Sequence, residues 1–260
     1  VALDLRGAVA RGEFELAFQP MVRLDDGCVG VAEVLLRWRH PTRGLLAPGA
    51  FLDEAERNGE IVAIGSWVVE EAAQRLVELR RIHPELRLAV NVSRREILQP
   101  GFPERYCSAI ARAGLPIAAL PLEITERVFA DDAALPVVAE LRRRDVRVVL
   151  DDFGAAHSSL PVLVGLNIGG IKIDRALMPV EPTADDLAFL TALASMLHAR
   201  GWRVIVEGVE NDAALAAARA AGFDEAQGYG IARPMPLAAL EAYLRERAAL
   251  SFEQHEAHAV

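Results

Sequence analysis

Most of the chain repeats one pattern, in which short β-branched or aliphatic runs alternate with helical segments from about residue 84 onward. In residues 184–201, leucine and alanine recur at helical spacing before a stop at Gly201. Residues 211–222 form a second such segment, which Asn211 can cap at its start. This alternation is typical of parallel strands joined by crossover helices. The runs predicted as strands are 86–93, 119–126, 146–153, 169–174, 202–210 and 224–232.

The first part of the chain adds two strands and two helices. Residues 14–24 and 28–38 predict strands joined by the turn Asp25-Asp26-Gly27, and residues 49–59 and 61–82 predict helices. Two early strands and six later ones give the number that closes a barrel of alternating strands and helices. We therefore predict an α/β fold, a TIM-like (β/α)₈ barrel. The early hairpin makes its first strand antiparallel to the second.

The length of 260 residues suits one barrel domain over residues 1–250 and a frayed C-terminal tail over residues 251–260. His255 and His258 in that tail are interpreted as incidental. No apolar run approaches the roughly 20 residues that span a bilayer. We expect a cytoplasmic domain that makes no membrane contact itself. Because the chain opens on Val1, we expect a fragment of a longer protein.

The net charge and the spacing of the cysteines limit the classes of partner and ligand that the chain can bind. A net charge of −9 argues against a long nucleic acid, which favours a basic surface. It does not exclude a small anionic ligand held by metal ions. Cys28 and Cys107 lack the spacing of metal ligands, which favours packing roles in a reducing compartment.

Each predicted strand carries a polar residue among apolar neighbours. In such barrels, the residues at the C-terminal ends of the strands carry the chemistry. A single buried polar residue often only satisfies a backbone group or a partner side chain. Nine on eight strands are harder to explain in that way, because buried charges are costly unless they are paired or bound to metal. The nine are Gln19, Glu33, Asn91, Glu123, Asp151, Asp152, Lys172, Glu207 and Gln227.

Five of these nine residues are carboxylates and one is a base, so their convergence leaves surplus negative charge. One or two divalent cations resolve the surplus, and ligation by oxygen suits Mg²⁺, Mn²⁺ or Ca²⁺ better than zinc. Asp152 in isolation could simply start a turn. At a metal centre, Asp151 and Asp152 are adjacent ligands, and one is shared between two ions about 3.5–4 Å apart. Gly154 then allows the chain to turn away sharply.

Two reactions suit this set of residues. Two hard cations and a lysine suit hydrolysis of a phosphodiester. They also suit proton abstraction beside a carboxylate, as in enolase-type enzymes. Spacing alone does not separate the two, although an enolase-type capping domain needs more chain than precedes the first predicted strand.

From about Leu3 to about Ala249 the sequence resembles the EAL-domain family of bacterial cyclic di-GMP phosphodiesterases. The resemblance implies a barrel that hydrolyses one phosphodiester bond of cyclic di-GMP and leaves the linear dinucleotide pGpG. Each motif alone is weak evidence, but the ordered set is specific. The motifs are FQP at 18–20, AEVLLRWRHP at 32–41, VNVS at 90–93, LEITE at 122–126, LDDFG at 150–154, SSL at 158–160, IKIDR at 171–175, VEGVE at 206–210 and QGYGIARPMP at 227–236.

The resemblance also implies cofactors and roles. Two ions of Mg²⁺ or Mn²⁺ are expected, and Ca²⁺ is expected to bind, with inhibition as one outcome. The implied metal ligands are Glu33, Asn91, Glu123 and Asp151, with Asp152 on the second ion. Lys172 would orient or help activate the attacking water. Glu207 would act near that water, either as general base or as a partner of the second metal, and Glu126 would brace the loop after Asp152.

Contacts with cyclic di-GMP are implied for Gln19, Leu35, Arg37 and Gln227. Arg37 would bind a phosphate, whose geometry a guanidinium matches. The resemblance further implies a homodimer. It also implies sensory, receiver or nucleotide-cyclase domains fused outside this chain.

Three departures from the family pattern bear on activity. Val34 replaces the alanine of the Glu-Ala-Leu signature, for which we expect a packing adjustment without loss of metal. Ala155, Ala156 and His157 replace Thr-Gly-Tyr after the paired aspartates. Gly169-Gly170 lacks the usual acidic residue and is expected to loosen the approach to Lys172. The preferred interpretation is an active phosphodiesterase. The alternatives are a cyclic di-GMP receptor that does not cut and, less favoured, another barrel enzyme acting on phosphorylated substrates.

Overall fold

The strands of this chain close into a barrel. The computed structural model describes the backbone of residues 2–155, 163 and 165–258, and the side chains of residues 4–155, 163 and 165–247. The strands are β1 (Phe14–Arg23), β2 (Val29–His40), β3 (Gly44–Leu46), β4 (Arg87–Asn91), β5 (Leu122–Thr125), β6 (Val148–Phe153), β7 (Gly170–Ile173), β8 (Arg203–Val206) and β9 (Glu225–Ala226). The sheet runs in the order β1-β9-β8-β7-β6-β5-β4-β2-β3, and pairing of β1 with β2 closes it.

The direction of the strands confirms the prediction from sequence. β1 is antiparallel to both of its neighbours, β2 and β9. The strands from β2 through β4 to β9 pair in parallel. The short β3, which was not predicted, lies antiparallel to the end of β2 outside the eight-stranded barrel. The fold is therefore a TIM-like barrel whose first strand is reversed.

Helices surround the barrel. They are α1 (Ala2–Leu5), α2 (Leu52–Asn58), α3 (Ile61–Leu79), α4 (Arg94–Ile97), α5 (Phe102–Arg112), α6 (Glu126–Phe129), α7 (Leu135–Arg143), α8 (Ala184–His198), α9 (Asp212–Ala220) and α10 (Leu237–His258). The side chain of Asn211 accepts the N–H of Ala214 at the start of α9, as predicted. No helix in the described part of the chain is long and apolar enough to cross a membrane.

The C-terminal segment differs from one local expectation. The segment 251–260 was predicted to be frayed, but its backbone continues α10 as far as His258. Its alanines, glutamates and glutamine are good helix formers, which explains this extension. The side chains of His255 and His258 lie outside the described part. Gly170 is a buried residue of β7 in register with Val149 and Arg203, and the looser approach to Lys172 expected at Gly169-Gly170 stays a prediction.

The interior of the barrel is layered. Because side chains alternate between the two faces of a strand, every second residue of a strand points inward. An apolar floor separate from the main core is formed by Met21, Val31, Ala89, Val149 and Ile205. The inward residues two positions nearer the mouth on these strands are Gln19, Glu33, Asn91, Asp151 and Glu207. An apolar floor therefore lies beneath a polar layer.

Candidate functional site

The polar layer is centred on Lys172, the only lysine of the chain. Its side chain is 1% exposed, and its ammonium lies 2.6 Å from Glu207 Oε1 and 3.1 Å from Asp151 Oδ1. The same nitrogen lies 3.3 Å from Oε2 of Glu33 and 3.3 Å from Oε2 of Glu123. Five strands thus bring four carboxylates onto one ammonium.

Asp151 and Asp152 reach the same site because the strand is distorted between them. Consecutive residues of a regular strand point to opposite faces. The register between β6 and β7 shifts between Leu150 and Phe153, and Asp152 has a φ of 58°. Aspartate tolerates this left-handed conformation better than most residues. Gly154 follows with a φ of 100°, which agrees with the sharp turn predicted there.

Asp151, Asp152 and Glu207 form a compact set of carboxylates. One oxygen from each lies within 4.8 Å of the others. Their all-oxygen chemistry fits a hard divalent cation such as Mg²⁺ or Mn²⁺. Glu33 and Glu123 contact the ammonium of Lys172 from β2 and β5, and Asp151 and Glu207 contact the same ammonium.

Two amides orient Glu33. Asn91 Nδ2 donates to Glu33 Oε1 at 2.7 Å, and Gln227 Nε2 donates to Glu33 Oε2 at 2.8 Å. The side-chain oxygen Oε1 of Gln227 is buried and has no hydrogen-bond partner among the described residues. The side-chain oxygen of Gln227 is therefore available to a ligand or cation.

The electrostatics of this layer reflect its surplus of carboxylates. Burial raises the pKa of Glu207 to about 7, with Lys172 opposing the rise and Asp151 adding to it. Burial and the neighbouring Asp151 also raise the pKa of Asp152. Burial lowers the pKa of Lys172, but the four carboxylates outweigh it and set that pKa well above its usual value. The lysine is therefore charged at neutral pH.

Glu33 and Glu123 differ although both lie 3.3 Å from the lysine nitrogen. Burial acts to raise the pKa of Glu33, but Lys172 and the two amide donors outweigh it and the pKa is lowered. Burial raises the pKa of Glu123 well above its usual value, since Lys172 alone opposes it and three carboxylates add to the rise. The site thus retains protons that a divalent cation would displace.

The residues expected to contact a ligand lie around this layer. Leu35 and Arg37 continue the inward face of β2 beyond Glu33, and both are half-buried. Arg37 Nη1 donates to the carbonyl of Leu36 at 2.8 Å. Gln19 Nε2 donates to the carbonyl of Ala232 at 3.0 Å. The arrangement places the guanidinium of Arg37 at the mouth, beyond the carboxylates.

The loop after Asp152 is described only in part. Ala155 is described, whereas Ala156 and His157 lie outside the described residues. Glu126 begins α6 one residue after Thr125, which is in register with Asp151. Its Oε1 is buried without a hydrogen-bond partner among the described residues. An oxygen at this position is available to brace that loop.

Val34 packs away from the site. Its side chain is buried in the main core between barrel and helices, on the face of β2 opposite to Glu33. This placement agrees with a packing adjustment at the altered signature residue.

Two residues near the mouth were not singled out from sequence. Tyr229 is 57% exposed, and the guanidinium of Arg233 lies 4.3 Å from its ring centroid. Both follow Gln227 on the loop whose Ala232 accepts from Gln19. The sequence feature that could have indicated them is an aromatic residue and an arginine in a glycine-containing segment after the last strand. An exposed ring of this kind can stack on a nucleobase.

These features define the class of protein: a TIM-like barrel with an oxygen-rich candidate metal site at its mouth. A sequence model described as the EAL domain matches residues 2–234. The chain belongs to the EAL domain family. This confirms the resemblance drawn from the ordered motifs.

Named relatives support the same assignment. The chain is 37% identical over 246 residues to the cyclic di-GMP phosphodiesterase NbdA of Pseudomonas aeruginosa, covering 93% of this chain and 31% of that protein. It is 35% identical over 237 residues to the bifunctional diguanylate cyclase/cyclic di-GMP phosphodiesterase MucR of the same organism, covering 90% and 35%. The chain thus spans about a third of the length of these relatives.

Solved structures agree as well. The PaMucR phosphodiesterase in complex with c-di-GMP superposes with a TM-score of 0.84 at 35% identity, covering 92% of this chain and 98% of that one. The FimX EAL domain of Pseudomonas aeruginosa bound to c-di-GMP gives a TM-score of 0.79 at 25% identity, covering 90% and 95%.

Proposed function

We propose that this chain is a metal-dependent phosphodiesterase that hydrolyses cyclic di-GMP to linear pGpG. The observation that carries the proposal is the set of three carboxylates, Asp151, Asp152 and Glu207, whose oxygens lie within 4.8 Å beside the only lysine. The names of the relatives and the c-di-GMP complexes among the structural neighbours supply the substrate.

The metal-binding roles follow from the donor atoms. Two ions of Mg²⁺ or Mn²⁺, when bound, supply activation of water and stabilisation of the leaving oxygen. Ca²⁺ takes the same oxygen ligands and would compete. Asp151, Asp152 and Glu207 would hold one part of this centre, and we assign Glu207 to ligation because its oxygen lies with those of the two aspartates. The remaining proposed ligands are Glu33, Asn91 and Glu123.

The other residues of the mouth bind and orient the reactants. The charged Lys172 donates a hydrogen bond that orients the attacking water. Arg37 pairs with a phosphate, and Gln19, Leu35 and Gln227 contact the nucleotide. The water oxygen bonds to phosphorus, and the bond from phosphorus to one ribose 3′ oxygen breaks. One proton of the water ends on that ribose oxygen, and the other is released to solvent. The product then has a free 3′ hydroxyl and a 5′ phosphate, as pGpG requires.

A receptor that binds cyclic di-GMP without cutting it is the second candidate. The altered segment Ala155-Ala156-His157 favours it, since the segment begins three residues after Asp152, the proposed ligand of the second metal. Arg37 and the two glutamines would still hold the nucleotide.

The wider assembly is also a proposal. The name of MucR joins a diguanylate cyclase to the phosphodiesterase activity, and this chain covers 35% of that protein. We infer that the domain works as a homodimer next to sensory, receiver or cyclase domains, in the cytoplasmic compartment.

Metal-dependent turnover tests the proposal. The purified chain is mixed with cyclic di-GMP and Mg²⁺ or Mn²⁺, and pGpG is followed by chromatography with an EDTA control. Formation of pGpG that EDTA abolishes supports the phosphodiesterase. Intact nucleotide that co-elutes with the protein would instead identify a receptor.

A further inference from the structure

A cavity of about 380 Å³ lies outside the barrel, between α3 and α5. Its volume falls in the range of small-molecule sites, roughly 300–1,000 Å³. Most of its wall is apolar, and the apolar residues that line it are Val62, Val69, Phe102, Tyr106 and Ala109. The cavity is distinct from the barrel mouth, and the phosphodiesterase proposal makes no use of it.

One carboxyl on this wall is buried and incompletely paired. Glu96 is 5% exposed, and its Oε2 accepts the N–H of Ser93 at 2.8 Å and the hydroxyl of Ser93 at 2.6 Å. Its Oε1 receives no hydrogen bond from the described residues. A Cβ on Gly65 would lie 1.6 Å from that oxygen, so Oε1 lies against α3, and both Gly65 and Glu96 line the cavity.

The arginines that line the cavity donate hydrogen bonds to groups other than Glu96. Arg112 Nη2 donates to Glu70 Oε1 at 2.8 Å, and Arg105 Nη1 donates to the carbonyl of Pro100. None of the described cations forms an ion pair with Glu96. Burial raises the pKa of this carboxyl to about 7, and Glu56 acts in the same direction. A buried carboxylate is costly unless it is paired, and a ligand ammonium would pair with it.

We propose that this cavity binds a small primary amine with an apolar body, whose ammonium donates to Glu96 Oε1. An apolar chain or ring would contact Phe102, Tyr106 and the valines of α3. An anion would be disfavoured, because the carboxyl lines the cavity wall. The Glu96 carboxyl and Ser93 form the capping box at the start of α4, and Ser93 follows the proposed metal ligand Asn91 by two residues. The occupant would therefore contact a carboxyl close in sequence to the candidate metal centre.

The test uses phenethylamine as the probe and 2-phenylethanol as its neutral counterpart. Each is titrated at pH 8 into the isotopically labelled chain with Mg²⁺ present, and backbone amide shifts are followed by NMR. The proposal predicts that phenethylamine moves the amides of Gly65 and Glu96 and binds about tenfold more tightly than the alcohol, as a charge-assisted hydrogen bond implies.

Three variants locate the contact. Glu96→Gln keeps a side chain that can form the capping box, and it should remove the preference for the amine. Glu104→Gln changes an exposed carboxylate on the same cavity that is paired with Arg144, and it should retain the preference. Ser108→Phe should fill the cavity and abolish binding of both probes. Equal amine binding by wild type and Glu96→Gln, shifts confined to the barrel mouth, or no binding at all would overturn the proposal.

Discussion

The ammonium of Lys172 lies 2.6 Å from Glu207 Oε1, and this contact links neighbouring strands β7 and β8 inside the barrel. Glu207 in turn lies with Asp151 and Asp152. The only lysine of the chain therefore neutralises part of a carboxylate cluster whose remaining charge fits divalent cations. We therefore expect stability and metal binding to be coupled through this contact.

Replacing the lysine should expose that coupling. Lys172→Met leaves three buried carboxylates and the half-buried Glu207 without their cation, so we expect the free energy of unfolding in EDTA to fall by about 3–5 kcal/mol. Mg²⁺ or Mn²⁺ should restore part of the loss. Urea unfolding with and without metal measures both effects.

Arg75→Met is the matched control, because it removes a surface cation paired with Glu71 and Glu78. It should cost about 1 kcal/mol or less. Wild-type stability of Lys172→Met in EDTA would contradict the account of the polar layer.

Glu33 tests the metal assignment. Glu33→Ala removes a proposed ligand that Asn91 and Gln227 orient, so we expect Mn²⁺ affinity to fall at least about tenfold and turnover to be lost. Calorimetric titration with Mn²⁺ measures the first effect. Glu78→Ala, on the exposed side of α3, should bind as wild type does. Full activity of Glu33→Ala would remove the basis for the assignment.

Arg37 tests nucleotide recognition. Arg37→Ala should weaken cyclic di-GMP binding about tenfold or more, because a charge-assisted hydrogen bond to phosphate is lost. Arg39 lies two residues further on the same face of β2 and pairs with Glu15 at 2.5 Å. Arg39→Ala should therefore leave the Kd unchanged. Equal effects of the two variants would assign the loss to general charge rather than to a phosphate contact.

Glu96 should make stability depend on pH. Its pKa is raised by burial from 4.5 to about 7, so the folded chain holds an extra proton between these values. The stability this proton provides is present at acidic pH and is lost as the pH rises through about 7, on the order of 3 kcal/mol in all. Glu96→Gln should flatten this part of the curve in urea unfolding from pH 5 to 8.5 in EDTA. An unchanged slope would show that the carboxyl titrates normally.

The polar layer could be predicted from sequence because its spacing is local. In a barrel, a polar residue at the end of an inward-facing strand lies two positions beyond an apolar floor residue, as Glu33 does beyond Val31 and Asn91 beyond Ala89. Knowing the class of fold was therefore sufficient to place these side chains together. The reversed first strand followed in the same way from the hairpin at Asp25–Gly27.

Other features depend on contacts distant in sequence. The convergence of Asp151 and Asp152 requires the shift between β6 and β7 and the left-handed backbone of Asp152, which no local pattern announces. The sharing of one ammonium among Glu33, Glu123, Asp151 and Glu207 depends on how the strands pair. The short β3 forms only because it pairs with the end of β2.

The most direct test of the central claim compares two aspartates with the same unusual backbone. Asp152 and Asp145 have φ values of 58° and 64°, and asparagine tolerates that conformation at either position. We predict that Asp152→Asn retains cyclic di-GMP binding but forms no pGpG with Mg²⁺ or Mn²⁺, whereas Asp145→Asn turns over as wild type does. Wild-type turnover by Asp152→Asn would contradict the proposal that the paired aspartates build the metal centre.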